Sequence, residues 1–228
     1  VPYEEVKPQA DENKIYNRYV TTLEDANGHL LDISFNPPQN FNFAYDVVDA
    51  VALKAPNKRA MLWLSHDKKE RLFTFNDMKV LSDKCANMFV KSGIKRGDRV
   101  MLVLKRHYQF WIAILALHKI GAIAIPATNQ LVQKDFEYRF EAAGVSAIVC
   151  TSDGDTAKEC EEAFKSCPFV TTRFIVGKDR EGWINFDKYL EECSDKFERK
   201  VTDKDDLMLM YFTSGTTGYP KIASHSYT

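Results

Sequence analysis

Residues 74–126 read TFNDMKVLSDKCANMFVKSGIKRGDRVMLVLKRHYQFWIAILALHKIGAIAIP. Thr74 with Asp77 three residues later is a capping-box pattern. Met78, Leu81, Cys85, Met88 and Phe89 then recur at helical spacing until Gly93 supplies a left-handed stop. The run RVMLVL at 99–104 is continuously apolar after its first residue, the pattern of a strand covered on both faces. A helix over 107–119 encloses the apolar run 110–117 and stops at Gly121. Residues 122–125 (AIAI) make a second covered strand, closed by Pro126.

The same alternation continues downstream. Helices are predicted over 133–143 (stopped by Gly144), 155–166 and 185–193, with strands over 145–150 and 172–176 between them. Strands alternating with helices require right-handed crossovers, so the fold class is α/β, a mostly parallel sheet with helices on both faces. Upstream, residues 1–40 are polar, with Asn27-Gly28 and Pro37-Pro38 as turn markers, and read as an N-terminal arm with little core. A helix over 46–55 follows. MLWL at 61–64 reads as a buried strand that pairs as a hairpin with 72–75. The charged run KFERKVTDKDD at 196–206 reads as a solvated connection, and LMLMYF at 207–212 as a buried strand. The organisation expected is an arm over 1–40, an α/β subdomain over 41–200, and a strand with a loop opening a second subdomain over 201–228.

Composition excludes several classes of function. The 228 residues are 45% hydrophobic and 28% charged, which rules out intrinsic disorder and collagen-like structure. Lys and Arg (31) balance Asp and Glu (32), so no global field recruits nucleic acid or an anionic membrane. The longest apolar run is far too short to span a bilayer, and the N-terminus has no signal-peptide character. The expectation is a cytoplasmic protein with no membrane span and no nucleic-acid partner. Five cysteines (Cys85, Cys150, Cys160, Cys167, Cys193) show neither disulfide nor zinc spacing and read mostly as small buried apolar residues. A redox role for Cys160 and Cys167 is weighed against two unrelated thiols, and the latter is favoured. The start at Val1 and the finish at Thr228 without a closing signal suggest part of a longer polypeptide.

Directly after the 207–212 strand comes Thr213-Ser214-Gly215-Thr216-Thr217-Gly218-Tyr219-Pro220-Lys221. Glycines let backbone N–H groups approach an anion closely, hydroxyls donate further hydrogen bonds, and Lys221 adds positive charge; together these features suit a polyphosphate. The spacing is not a Walker A loop, no G-x-G-x-x-G occurs, and Pro220 opposes a helix continuing from the loop. The competing reading is a Ser/Thr/Gly turn without a ligand.

YFTSGTTGYPK resembles the phosphate-loop signature of the adenylate-forming superfamily, which contains acyl- and aryl-CoA synthetases, amino-acid adenylation domains and luciferases. The resemblance extends upstream through the Arg-Gly-Asp-Arg-Val turn at 96–100 and the Gly-Ala-x-x-x-Pro ending at 121–126, and covers the chain from residue 41 onward. Pro-Ala-Thr-Asn-Gln at 126–130 and the loop with its IASHSY extension are most similar to short- and medium-chain acyl-CoA synthetases.

The resemblance implies the first part of the N-terminal domain of an adenylate-forming enzyme. Such an enzyme activates a carboxylic acid with ATP through an acyl-adenylate and then forms a thioester with coenzyme A. It implies that Thr213, Ser214, Gly215, Thr216, Thr217, Gly218 and Lys221 hold the ATP phosphates, with Tyr219 at the variable position and Pro220 completing the loop. Gln130 corresponds to a glutamine near the coenzyme A path, although a polar residue capping the turn after Pro126 explains it equally. His225 is similar to a histidine in the loop's extension and reads as structural, at the start of a following helix. The turn at Arg96, Asp98 and Arg99 reads as structural, and Trp111 with its aromatic neighbours as core. The family's magnesium-binding glutamate, ribose-binding aspartate and catalytic lysine all follow the phosphate loop, so no metal ligand and no catalytic residue is expected here. Two alternatives remain: an amino-acid or aryl-acid adenylation domain, and a naturally short nucleotide-binding module.

Overall fold

The computed structural model describes residues 14–214 and 218–228. A 3-10 turn (Ile15–Arg18) precedes β1 (Val20–Glu24) and β2 (Leu30–Phe35), an antiparallel hairpin. Its turn closes where Asn27-Gly28 marks it, because the Asp25 carboxylate accepts from the backbone N–H of Asn27 at 2.8 Å and of His29 at 2.9 Å. Apart from the half-buried Val20, its residues are exposed, as an arm without its own core requires.

A π-helical turn (Ala44–Asp49) runs into α1 (Ala50–Lys54), in place of the single helix over 46–55. The wide turn puts Tyr45, Val48 and Asp49 on the buried side. The hairpin of β3 (Arg59–Leu64) and β4 (Glu70–Thr74) forms with the expected partners, but it stands apart from the main sheet. Its expected burial is therefore corrected. Phe73 is buried against the helices, while Leu62, Leu64 and Leu72 face outward about half exposed.

Beyond the hairpin the chain winds as its apolar pattern dictates. It forms α2 (Phe75–Lys91), β5 (Arg99–Val103), α3 (Gln109–Ile120), β6 (Ile123–Pro126), α4 (Gln133–Ala143), β7 (Ala147–Thr151), α5 (Thr156–Phe164), β8 (Thr172–Val176), β9 (Ile184–Asn185), α6 (Phe186–Glu191), β10 (Leu207–Thr213) and β11 (Lys221–Ser226). The seven strands lie in the order β11-β10-β6-β5-β7-β8-β9; all neighbours are parallel except β10 and β11. One core packs α2, α3 and α6 on one face of the sheet, and a second packs α4 and α5 on the other. All five cysteines are buried in these two cores. Burial pushes the Cys150 thiol up to about 12 and raises Cys160 as well, which keeps both protonated and unreactive.

The capping box forms: the Asp77 backbone N–H donates to Thr74 Oγ1 at 3.1 Å, and the Thr74 N–H donates to Asp77 Oδ2 at 2.8 Å. Thr74→Ala is expected to lower the unfolding free energy by about 1 kcal/mol in urea titrations, and Thr74→Ser to leave it nearly unchanged. At the end of α3, Gly121 has φ +73, and a Cβ there would meet Arg96 Cγ at 3.0 Å. A side chain would carry both backbone strain and a crowded turn.

Two further expectations are corrected. The 196–206 run does not simply sit in solvent. Arg199 Nη1 lies 2.7 Å from Asp46, Arg96 Nη2 lies 2.5 Å from Asp206, Thr202 is buried, and the Lys204 N–H donates to the Gln39 carbonyl at 2.7 Å. The segment clasps the arm and the π-helical turn to the body. Strand β10, read as buried, is half exposed, with Leu207 and Tyr211 outward and Met210 and Phe212 packed toward α4 and α5. It lies one strand from the sheet edge, where cover is partial on both faces: Leu209 still packs on the core of α2 and α3, while its same-face neighbours Leu207 and Tyr211 are exposed.

Candidate functional site

The loop after β10 is a connection between two antiparallel strands whose last paired residues are Thr213 and Lys221. Thr213 Oγ1 donates to the Lys221 carbonyl at 3.3 Å, so the two legs are tied where they leave the sheet. Thr213, Ser214, Gly218, Tyr219 and Lys221 are exposed, and Pro220 is half buried. Gly218 has φ +116, a conformation that favours glycine. Gly215, Thr216 and Thr217 lie outside the described residues. Among the described residues no carboxylate pairs with Lys221, which leaves its charge available to an anion.

The second leg is anchored. Tyr219 stacks on Tyr138 of α4 with ring centroids 4.6 Å apart and planes 21° from parallel, and the Tyr138 hydroxyl donates to the Pro220 carbonyl at 2.7 Å. Sequence reasoning did not find this role for Tyr138. Its partner is 82 residues away, and an aromatic at a helical position otherwise reads as core. His225 belongs to β11 rather than to a helix; it is exposed, with its ring edge-on to Tyr211 at 5.9 Å. The reading as a helix-start residue is therefore corrected, since β10 pairs with residues 221–226 as a strand.

Because β6 and β10 run parallel, the turn carrying Gln130 and the phosphate-loop candidate leave the same end of the sheet. Gln130 is exposed, and its N–H donates to Thr128 Oγ1 at 3.3 Å, consistent with a turn residue. Strands β6 and β7 lie on opposite sides of β5, so strand order reverses there. Such reversals open a crevice at the carboxyl ends of the strands. It measures about 790 Å³ and is lined in part by Lys105, His107, Asn129 and Asp153. His107 Nε2 lies 2.8 Å from Thr151 Oγ1 and 3.5 Å from Asp153; burial lowers its pKa against the opposing pull of Asp153 and Asp187.

The turn reading at 96–99 holds. The Asp98 carboxylate accepts from the Lys95 N–H at 2.8 Å, and Arg99 Nε donates to the carbonyls of Ala143 and Gly144. Trp111 is not core: it is 51% exposed. It lies on the face of α3 that borders a groove of about 840 Å³ between that helix and β3. Two neighbours on α3 were also missed. His118 is buried with neither ring nitrogen hydrogen-bonded among the described residues, and Lys119 is fully buried between Asp49 at 2.9 Å and Asp83 at 2.7 Å. Their polar side chains at the end of an apolar stripe were the available signal. Among the described residues no group of three or more His, Cys, Asp or Glu is arranged to hold a metal, and no helix is long and apolar enough to cross a membrane.

Comparison with known proteins agrees with this arrangement. The profile for AMP-binding enzyme matches residues 48–228. Mouse acyl-coenzyme A synthetase ACSM4, mitochondrial, is 36% identical over 196 residues, covering 83% of this chain and 33% of the relative. Human acyl-coenzyme A synthetase ACSM3, mitochondrial, is 34% identical over 204 residues, covering 86% and 34%. The crystal structure of Brucella canis acyl-CoA synthetase superposes with a TM-score of 0.73 at 26% identity, over 84% of this chain and 34% of that one. The anthranilate CoA ligase AuaEII, in complex with anthranoyl-AMP, gives 0.73 at 21% identity and bears on the fold alone. The chain spans about a third of the length of the curated relatives it matches. Those relatives are named as mitochondrial, which overturns the cytoplasmic expectation, a reading that rested on the absence of an apolar span and of a signal peptide. With a profile match over most of its length, and a mostly parallel α/β sheet whose last two strands flank the T-S-G-T-T-G-x-P-K sequence, this chain belongs to the AMP-binding enzyme family.

Proposed function

We propose that this chain is the phosphate-gripping part of an acyl-CoA synthetase. Such an enzyme activates a short- or medium-chain carboxylic acid with ATP through an acyl-adenylate and passes the acyl group to coenzyme A. The observation that carries the reading is the tied hairpin loop, with a Lys221 that has no carboxylate partner among the described residues, within a match to AMP-binding enzymes. In this reading the backbone and hydroxyls of Thr213, Ser214, Gly215, Thr216, Thr217 and Gly218 receive the β- and γ-phosphates. Lys221 offsets their charge, and Tyr219 and Pro220 fix the loop on Tyr138. Gln130 lies at the coenzyme A approach, next to the crevice bordered by Asn129. Residues 41–200 form a first α/β subdomain and 201–228 open a second. Magnesium, which accompanies ATP, takes its protein ligand outside this stretch. The setting is mitochondrial, as it is for the named relatives.

In the complete protein, Lys221→Ala and Thr216→Ala are each expected to slow acyl-adenylate formation about 100-fold, the effect of losing a charge-stabilising donor. Pyrophosphate release measured across a series of straight-chain acids checks this. Release at the wild-type rate in both variants removes the loop from the mechanism.

A further inference from the structure

The body of the groove and the Tyr219 leg of the loop lie against opposite faces of the sheet, and the groove's Lys105 end adjoins the crevice at the strand ends. Tyr219 packs on α4, whereas the groove follows α3, in the other core. At about 840 Å³, with a mainly apolar lining and a few polar groups, the groove has the character of a small-molecule site. Its walls include Trp63 of β3 and Phe110, Trp111, Ile114 and Leu115 of α3. From Phe110 to His118 it follows the helix for roughly 12 Å at the usual rise per residue.

Its two ends differ in chemistry. At the N-terminal end of α3, Lys105 and Arg106 border the groove, both exposed, and among the described residues neither pairs with a carboxylate. At the far end His118 lines it, 5% exposed, and among the described residues neither Nδ1 nor Nε2 has a hydrogen-bond partner. Its backbone is held in place: the carbonyl accepts from Asn42 Nδ2 at 2.7 Å and from the Tyr227 hydroxyl at 3.0 Å. Burial pushes the imidazole pKa down to about 4, so the ring is neutral near pH 7 and offers one donor and one acceptor. A buried polar group without a partner is costly, and a ligand that supplies one gains by that amount.

We propose that this groove is a second, non-catalytic site for an elongated amphiphilic carboxylic acid: its carboxylate on Lys105 and Arg106, its apolar body along Trp63, Phe110 and Trp111, and a hydroxyl at its far end bonded to His118. A plain fatty acid fills the apolar length but leaves the imidazole unsatisfied, so the site prefers the ω-hydroxylated chain. This goes beyond the proposed activity, which assigns no role to the length of the groove from Phe110 to His118.

Calorimetric titration of the complete protein with lauric and ω-hydroxylauric acid tests it. Two binding sites are expected, at one of which the hydroxylated acid binds about fivefold more tightly, as one net hydrogen bond provides. His118→Leu should erase that preference, and Lys105→Ala with Arg106→Ala should weaken that site about tenfold for both acids. Pyrophosphate release should stay at the wild-type rate in His118→Leu and Trp111→Ala, neither of which borders the crevice at the strand ends. Trp111→Ala, at a half-exposed position, should weaken both acids equally and serves if His118→Leu fails to fold. A single site, or an unchanged preference in the His118 variant, overturns the proposal. So does a loss of binding that runs parallel with pyrophosphate release, since the acid then occupies the reaction site. Failure of pyrophosphate release with every acid sinks the synthetase reading and leaves the binding result standing.

Discussion

Lys119→Ala is expected to lower the unfolding free energy by roughly 3–5 kcal/mol, the cost of leaving buried charge without its partner. The ammonium is fully buried, 2.9 Å from Asp49 Oδ1 and 2.7 Å from Asp83 Oδ1, and Asp83 is itself 1% exposed. Lys79 reaches the other oxygen of Asp83 at 2.6 Å but not Asp49. Removing Lys119 therefore strands one carboxylate completely and half-strands the second. Burial already raises the Asp49 pKa, with Lys119 holding it down, so in the variant Asp49 takes up a proton more readily and the penalty shrinks as pH falls. Lys119→Met combined with Asp49→Asn and Asp83→Asn removes the charges together and is expected to recover most of the loss. Urea titrations of the single and triple variants check both statements. A loss below about 1 kcal/mol in the single variant would mean that water reaches the two carboxylates.

The network also shows where sequence reading stops. The strands and helices between 74 and 176 are legible because each signal is local: a capping box at Thr74, a left-handed stop at Gly121, an apolar run that admits only a covered strand. Lys119 reads as an ordinary helix-end cation because its partners lie 36 and 70 residues away. The π-helical turn is set from as far off: Arg199 grips Asp46, and the Tyr45 hydroxyl donates to the Lys119 carbonyl at 3.1 Å. Burial of the β3–β4 hairpin and of β10 was overestimated for a related reason. An apolar strand reads as covered, but cover depends on its place in the sheet, and both lie at or near an edge.

The site divides in the same way. The loop is contiguous in sequence, so the chemistry proposed for it can be argued from Thr213 to Lys221 alone. What positions it is not: α4 supplies Tyr138, and the order of β10 beside β6 brings the loop to the edge where the Gln130 turn and the β5–β7 crevice also open. Trp111 was misread because an aromatic within a strongly apolar helix is usually core, whereas here β3 leaves a groove alongside.

His118 should make stability depend on pH across a defined window. Its imidazole has an ordinary value of 6.5 and is pushed down to about 4 by burial alone. Between those values the unfolded chain binds a proton that the folded chain refuses. Stability from this group is therefore complete above about pH 6.5, falls as pH drops toward 4, and levels off below that. Over the whole window the change amounts to roughly 3 kcal/mol. His118→Leu removes the titrating group while keeping an apolar side chain of similar bulk against Tyr227. The wild-type unfolding free energy, followed by urea titration from pH 7 to 4, should fall relative to the variant by about that amount. Other groups, such as Asp49 with its raised pKa, titrate in both proteins and cancel in the difference. Parallel pH profiles would show that the imidazole finds water or a partner in the folded state, and the argument for an unsatisfied group at the end of the α3 groove would fall with it.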